Sequence, residues 1–279
     1  MLPNFFIIGA QKAATTWLAK RLAEHPDVFM AKVKEVQFYK RYFARGLGWY
    51  ESHFSDWSGQ TAIGEATPGY IYFPEVPGRI KATLGDDVRF IGSLRHPVDR
   101  AYSAFWMFLS RGHNIRADAD FRTYYQRDEY GLRTRGNYFV QLSRYPKYFP
   151  RENLLVLIYE ELKKDNQKAL KDCYQFLGID SQFMPDSLNA KVNTRIDISM
   201  FHHEVWGVRR AMRLLPRSVE RLLVSMGLHV FKYFPKRKRY EPLDEDLRQE
   251  LLSDFMPDIK QLEDFLDRDL SIWYAPSRT

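Results

Sequence analysis

Three short segments of this 279-residue chain carry residue types and spacings that point to chemistry on a phosphate. The first is Gly9-Ala10-Gln11-Lys12-Ala13-Ala14-Thr15-Thr16, which follows the apolar residues 5–8 and precedes a helical pattern. A loop between a buried strand and a helix start offers free backbone N–H groups and the positive end of the helix dipole, and both suit a phosphate. A Walker-type loop, G-x-x-x-x-G-K-[ST], would need glycine at position 14 and lysine at 15. The chain has Ala14 and Thr15 there, and its lysine comes early, at Lys12. Phosphate binding fits this loop, and a standard Mg²⁺-dependent NTPase site does not. The second segment is Ser93-Leu94-Arg95-His96-Pro97-Val98-Asp99-Arg100-Ala101-Tyr102-Ser103, again between an apolar run and a helix. Arg95 leaves the strand tip, and Ser103 lies about two helical turns further on. A planar guanidinium suits a phosphate and a hydroxyl adds a donor. The third segment is Lys34-Glu35-Val36-Gln37-Phe38-Tyr39. Its carboxylate, next to a lysine, is of a type that accepts a proton.

Together the segments resemble the sulfotransferases that use PAPS (3′-phosphoadenosine 5′-phosphosulfate) as sulfonate donor. Lys12-Ala13-Ala14-Thr15-Thr16-Trp17 is similar to that family's 5′-phosphosulfate loop, K-x-G-T-[ST], with Ala14 where the family has glycine. Alanine tolerates a positive φ poorly, so the departure bears on how tightly the loop turns. Arg95 and Ser103 match R-x-P-x-x-R-x-x-S, whose arginine and serine hold the donor's 3′-phosphate, while Asp99 and Arg100 are expected in structural ion pairs. The third segment resembles the K-E-x-H-F-F stretch of the heparan-sulfate branch and of related bacterial enzymes. In that branch the glutamate is the catalytic base, and Glu35 follows Lys12 by 23 residues, as the branch requires. The resemblance implies that Glu35 takes the acceptor's proton and that Lys12 neutralises the leaving oxygen. The hormone- and phenol-type branch uses histidine instead. Of His53, His96 and His113, the last is the second candidate base, because Arg111-Gly112-His113-Asn114 reads as a loop.

Further matches extend the likeness over most of the chain. Gly64-Glu65-Ala66-Thr67-Pro68-Gly69-Tyr70 resembles G-E-x-[ST]-P-x-Y, which lines the acceptor cleft and implies Thr67 and Tyr70 as acceptor-binding residues. Gly136-Asn137-Tyr138 resembles the family's G-x-Y and brings Tyr138 into the donor set. The family closes a basic loop over the adenine and 3′-phosphate. The run at 236–239, with Arg237, Lys238 and Arg239, is the first candidate for that loop, and Lys191-Val192-Asn193-Thr194-Arg195 is the second. The implied co-substrate is PAPS, released as PAP, with no metal. The implied acceptor is a hydroxyl or amine of a sugar, lipid, acyl chain or small metabolite.

The elements that must position these residues follow from periodicity. Short apolar runs at 5–8, 28–30, 61–65, 88–94 and 153–159 read as buried strands, because parallel strands covered on both faces lose polar alternation. Helices are expected over 15–24, over 97–109 with proline in the first turn, over 160–177 closed by Gly178, and over 243–270. Strand and helix alternate. The fold class is therefore α/β, in three layers: a central parallel sheet with a P-loop-like phosphate-binding loop, helices on both faces and a helical C-terminal part. In such sheets ligands sit beyond the C-terminal strand ends, where both phosphate loops fall. We expect one domain over 1–279, with 197–239 a helical cap or insertion.

Composition narrows the partners without choosing one. A net charge of +7 and a pI near 9.3 favour anionic partners. No recognised nucleic-acid motif is present, so a nucleic-acid-binding protein is the weaker alternative, as is a P-loop kinase or NTPase. Cys173 is the lone cysteine, which rules out an intramolecular disulfide and suits a reducing compartment. Its neighbours read as a helix interior, so a buried thiol is expected rather than a nucleophile. Residues 5–8 are too short for a signal peptide or membrane span, and the expected location is cytoplasmic.

Overall fold

A computed structural model describes residues 1–110, 120–190 and 240–274. Each expected strand forms: β1 (Phe5–Gly9), β2 (Val28–Met30), β3 (Ala62–Ala66), β4 (Arg89–Leu94) and β5 (Leu154–Ile158). They make one sheet in the order β2-β3-β1-β4-β5, with every pairing parallel. β1 is fully buried because its side chains alternate between two cores. Phe6 and Ile8 pack on one face of the sheet, and Phe5 and Ile7 on the other. This is the three-layer arrangement that the unbroken apolar runs require.

The Phe5 side is covered by α1 (Thr15–Leu22) through Leu18 and Leu22, and by a helix ending at Leu177. Cys173 lies in that layer, fully buried, and burial pushes its thiol pKa far up, as suits a structural residue. The opposite face carries α2 (Gly46–Glu51), α3 (Val76–Leu84) and α4 (Pro97–Ser110), with Tyr50, Val76, Ile80, Val98 and Phe105 in its core. Between β4 and β5 the chain adds α5 (Phe121–Gln126) and α6 (Tyr138–Leu142).

Two long helices expected from periodicity are each broken. The stretch 160–177 splits into α7 (Tyr159–Lys164) and α8 (Asn166–Leu177), because Asp165 leaves the helical region and its side chain caps α8 by accepting the Lys168 amide at 2.9 Å. The stretch 243–270 splits into α9 (Glu245–Leu252) and α10 (Met256–Leu266), joined by a 3₁₀ turn over Ser253–Phe255. Pro257 opens α10, where its missing N–H costs nothing. The cap or insertion expected at 197–239 lies outside the described residues.

Candidate active site

β1 ends in a glycine because the chain is crowded there: a Cβ on Gly9 would lie 2.5 Å from Ile71 Cγ2. The loop that follows turns on two non-glycine residues with positive φ, Lys12 at 73° and Ala14 at 62°. Ala14 is thus the helix N-cap in the left-handed region that the family's usual glycine adopts freely, and it brings no capping side chain. The first i→i−4 bond of α1 runs from the Leu18 amide to Ala14 O at 3.0 Å. The amides of Thr15, Thr16 and Trp17 stand ahead of it, where a helix has no acceptor of its own to offer. Ala13 differs: its amide bonds Ala10 O at 3.2 Å and its methyl is buried, so it shapes the turn.

The second loop is tied to the first. The Ala10 amide bonds Ser93 O at 2.7 Å, and Arg95 Nη1 donates to Lys12 O at 3.4 Å. The Arg95 guanidinium also lies over the Tyr159 ring, 4.9 Å from its centroid. Ser103 sits half-buried on α4. The C-terminal part holds this loop from behind. Glu160 accepts the His96 amide and the Trp273 indole N–H, each at 3.0 Å. Asp99 pairs with Arg248 of α9 at 3.0 Å, the structural ion pair expected of it. Arg100 departs from expectation. It is fully buried and donates to Leu132 O, and among the described residues it has no ion pair.

Glu35 sits on the far side of β1. Its amide bonds Ala66 O, at the end of β3, at 3.0 Å, and its own φ is 63°. The carboxylate is exposed and pairs with Lys34 at 3.1 Å. The turn after β3 is fastened to β1 in its turn, with the Thr67 amide on Ile7 O at 3.1 Å and the Ile71 amide on Ile8 O at 2.9 Å. The Glu35 and Lys12 segments are therefore carried by adjacent strand ends of the sheet.

Three sequence-derived site residues are corrected by burial. Thr67 and Tyr70 are 1% and 0% exposed, and both hydroxyls donate to Glu65, at 2.5 and 2.9 Å. They lie beneath the surface and line no cleft directly. Tyr138 is likewise fully buried, and its hydroxyl donates to Arg95 O at 2.8 Å, so it holds the arginine's backbone. His96 is buried, as a structural histidine would be, and burial pushes its imidazole pKa down to about 4. His113, Arg237, Lys238 and Arg239 lie outside the described residues, as does 191–195.

Sequence reading missed a cationic and aromatic rim beside Glu35. Lys40 Nζ lies 4.7 Å from the Phe73 ring centroid, and Arg135 Cζ lies 4.2 Å from that of Tyr72. Burial lowers the Lys40 pKa, Arg135 lowers it further, and Glu35 acts to raise it. The signal available in sequence was only the paired rings Tyr72-Phe73. Glu65 was missed as well, although an acid inside a strand of small and apolar residues, Ala62-Ile63-Gly64-Glu65-Ala66, is itself a signal.

The chain is similar to known proteins in sequence and fold. A sulfotransferase crystal structure from Alicyclobacillus acidocaldarius superposes with a TM-score of 0.73 at 26% identity, covering 99% of this chain and 100% of that one. A membrane-associated sulfotransferase, kil1, of Dictyostelium discoideum is 39% identical over 107 residues, which are 37% of this chain and 22% of that protein. A human bifunctional heparan sulfate N-deacetylase/N-sulfotransferase 3 is 31% identical over 199 residues, covering 64% of this chain and 22% of its own length. The chain thus spans under a quarter of either curated relative. The sulfotransferase domain model matches residues 2–200, which take in both phosphate loops, Glu35 and all five strands, and the chain belongs to that family.

Proposed function

We propose that the chain transfers a sulfonate group from PAPS to a hydroxyl or amine of an acceptor and releases PAP. The observation that carries this reading is the joining of the two loops at neighbouring strand ends, with Arg95 Nη1 on the Lys12 carbonyl. It sets a helix N-terminus with unclaimed amides beside a guanidinium, which suits a donor with phosphate groups at both its 5′ and 3′ positions. Thr15, Thr16 and Trp17 offer amides to the 5′-phosphosulfate. Arg95 and Ser103 take the 3′-phosphate.

In the reaction the acceptor oxygen or nitrogen attacks sulfur while its proton passes to the Glu35 carboxylate. The bond from sulfur to the bridging phosphate oxygen breaks, and Lys12 neutralises the charge left on that oxygen. We read the acceptor as a saccharide bearing negative charge. The Lys40 and Arg135 rim with the rings of Phe73 and Tyr72 supports this, as does the heparan sulfate named for one relative. The reading extends to one domain over 1–279. Among the described residues no helix is long and apolar enough to cross a membrane. The lone buried cysteine supports a cytoplasmic site of action, which cell fractionation would test.

Calorimetry and thermal shift with PAP, PAPS and ATP, with and without Mg²⁺, test the core of the proposal. PAP and PAPS should bind without Mg²⁺, and ligand at 100 times its dissociation constant should stabilise the fold by about 2.7 kcal/mol. A preference for ATP with Mg²⁺ over PAPS would overturn it.

A further inference from the structure

Glu65 is a titratable group, fully buried, that the reaction above does not use. Its carboxyl gathers three hydroxyls. Oε1 accepts from Thr67 at 2.5 Å and from Tyr70 at 2.9 Å, and Oε2 accepts from Tyr50 of α2. Two of those hydroxyls then accept from the chain that follows Glu35. The Gln37 amide donates to Thr67 Oγ1 at 3.3 Å, and the Tyr39 amide donates to Tyr70 OH at 3.2 Å. A hydroxyl has one proton to give and lone pairs to receive with. Because Glu65 takes the protons of Thr67 and Tyr70, their oxygens are left facing the two amides. With the Glu65 carboxyl ionised, the direction of every bond in the network follows from one acceptor-only group at its centre.

The loop needs such a hold. Glu35 at φ 63° and Gln37 at φ 58° are both non-glycine residues in the left-handed region, which they leave unless the surroundings over-determine them. We infer that Glu65 is a positioning residue for sulfonate transfer: through Thr67 and Tyr70 it holds the backbone after Glu35, and so fixes where the Glu35 carboxylate stands.

The inference rests on the reading of Glu35 as base, and the tests separate the two. The key pair is Thr67→Val, which keeps shape and removes the hydroxyl, and Thr67→Ser, which restores the hydroxyl. Glu65→Gln adds a donor at the centre and would turn one hydroxyl around. Three readouts are taken: PAP affinity by calorimetry, turnover from PAPS to a desulfated heparin oligosaccharide, and the titration of the Glu35 carboxyl by ¹³C NMR, its resonance identified by loss in Glu35→Gln. Lys34 pairs with that carboxyl and Lys40 lies within electrostatic reach of it, so a displaced loop changes its titration. Thr67→Val should keep PAP affinity, shift the Glu35 titration and lower turnover by about 10², the loss that misplacement by an ångström can bring. Thr67→Ser should match wild type in all three. Should Glu65→Gln fail to fold, the serine and valine pair still decides the matter. A folded Thr67→Val with an unmoved Glu35 titration overturns the inference whether or not the oligosaccharide is accepted. So does a parallel loss of PAP affinity, the mark of general loosening. An active Glu35→Gln overturns the reading of Glu35 as base, and the inference falls with it.

Discussion

The donor and acceptor sides of the site are built by different means. On the proposed donor side, at the ends of β1 and β4, the groups on offer are main-chain amides at a helix start and one guanidinium. On the proposed acceptor side, by the end of β3, the backbone that follows one exposed carboxylate bonds two buried hydroxyls. In the proposed reaction the donor side recognises a fixed molecule, which suits groups set by secondary structure. The acceptor side must hold a single proton acceptor in a strained turn, and it does so through a side-chain network whose members come from β3, the turn after it and α2.

The sharpest break between the sides is expected in turnover. Glu35→Gln should lower it by roughly 10²–10⁴ while PAP affinity is kept, because only a proton acceptor is removed. Lys12→Ala should lose turnover and also weaken PAP binding, since Lys12 is proposed to meet the donor. Single-turnover kinetics with calorimetry on both variants would show the split. Near-normal turnover in Glu35→Gln, with His113→Ala inactive, would move the base to His113.

The two sides should also respond to pH in opposite directions. His96, behind the donor loop, is buried with its pKa at about 4, against 6.5 when unfolded. Burial is the main cause, and Arg248 and Arg95 act the same way against Asp99. The unfolded chain binds the proton first on acidification, so stability falls as pH drops from 6.5 towards 4. The total loss is about 3 kcal/mol, and His96→Asn should flatten that limb in urea denaturation. Glu65, under the acceptor loop, has a raised pKa because it is fully buried. Above the unfolded carboxyl's range the unfolded chain has already released its proton, so stability falls as pH rises towards the raised value. Glu65→Gln should remove that slope.

Arg95→Ala should weaken PAP binding by about 2–3 kcal/mol, the worth of a charge-assisted bond to a phosphate. The loss should shrink for adenosine 5′-phosphosulfate, which lacks the 3′-phosphate, and equal losses for both ligands would deny Arg95 that role. The smallest effect is expected at Ala14. With φ at 62°, Ala14→Gly should relieve strain by about 1 kcal/mol and tighten PAP binding without touching the Glu35 titration.

Much of the donor side was legible because it is local. An apolar run, a lysine, a threonine pair and an amphipathic helix are neighbours in sequence, and their periods encode a strand, a loop and a helix start. The acceptor side was legible only in its exposed carboxylate. Thr67 and Tyr70 were expected in the acceptor cleft because their motif resembles one that lines it, but a tyrosine or threonine beside a turn can face water or hold a buried partner with the same sequence. Tyr138 misled for the same reason: its partner, Arg95 O, is 43 residues away. Asp165 interrupts one helix that periodicity alone would continue, and the 3₁₀ turn over Ser253–Phe255 interrupts the other, with Pro257 opening the helix after it.

The sequence by itself determined the parallel sheet, the two loops at strand ends that carry Lys12 and Arg95, and the segment after β2 that carries Glu35. Each of these depends on residues a few positions apart, whose side-chain period and turn chemistry act locally. Tertiary structure alone decided which polar groups are buried and whom they serve. Lys12 O meets a guanidinium 83 residues on, and Glu65 meets the hydroxyl of Tyr50 from another element. A buried polar group must find a partner somewhere, but which one it finds depends on how distant segments pack, and no local pattern records that.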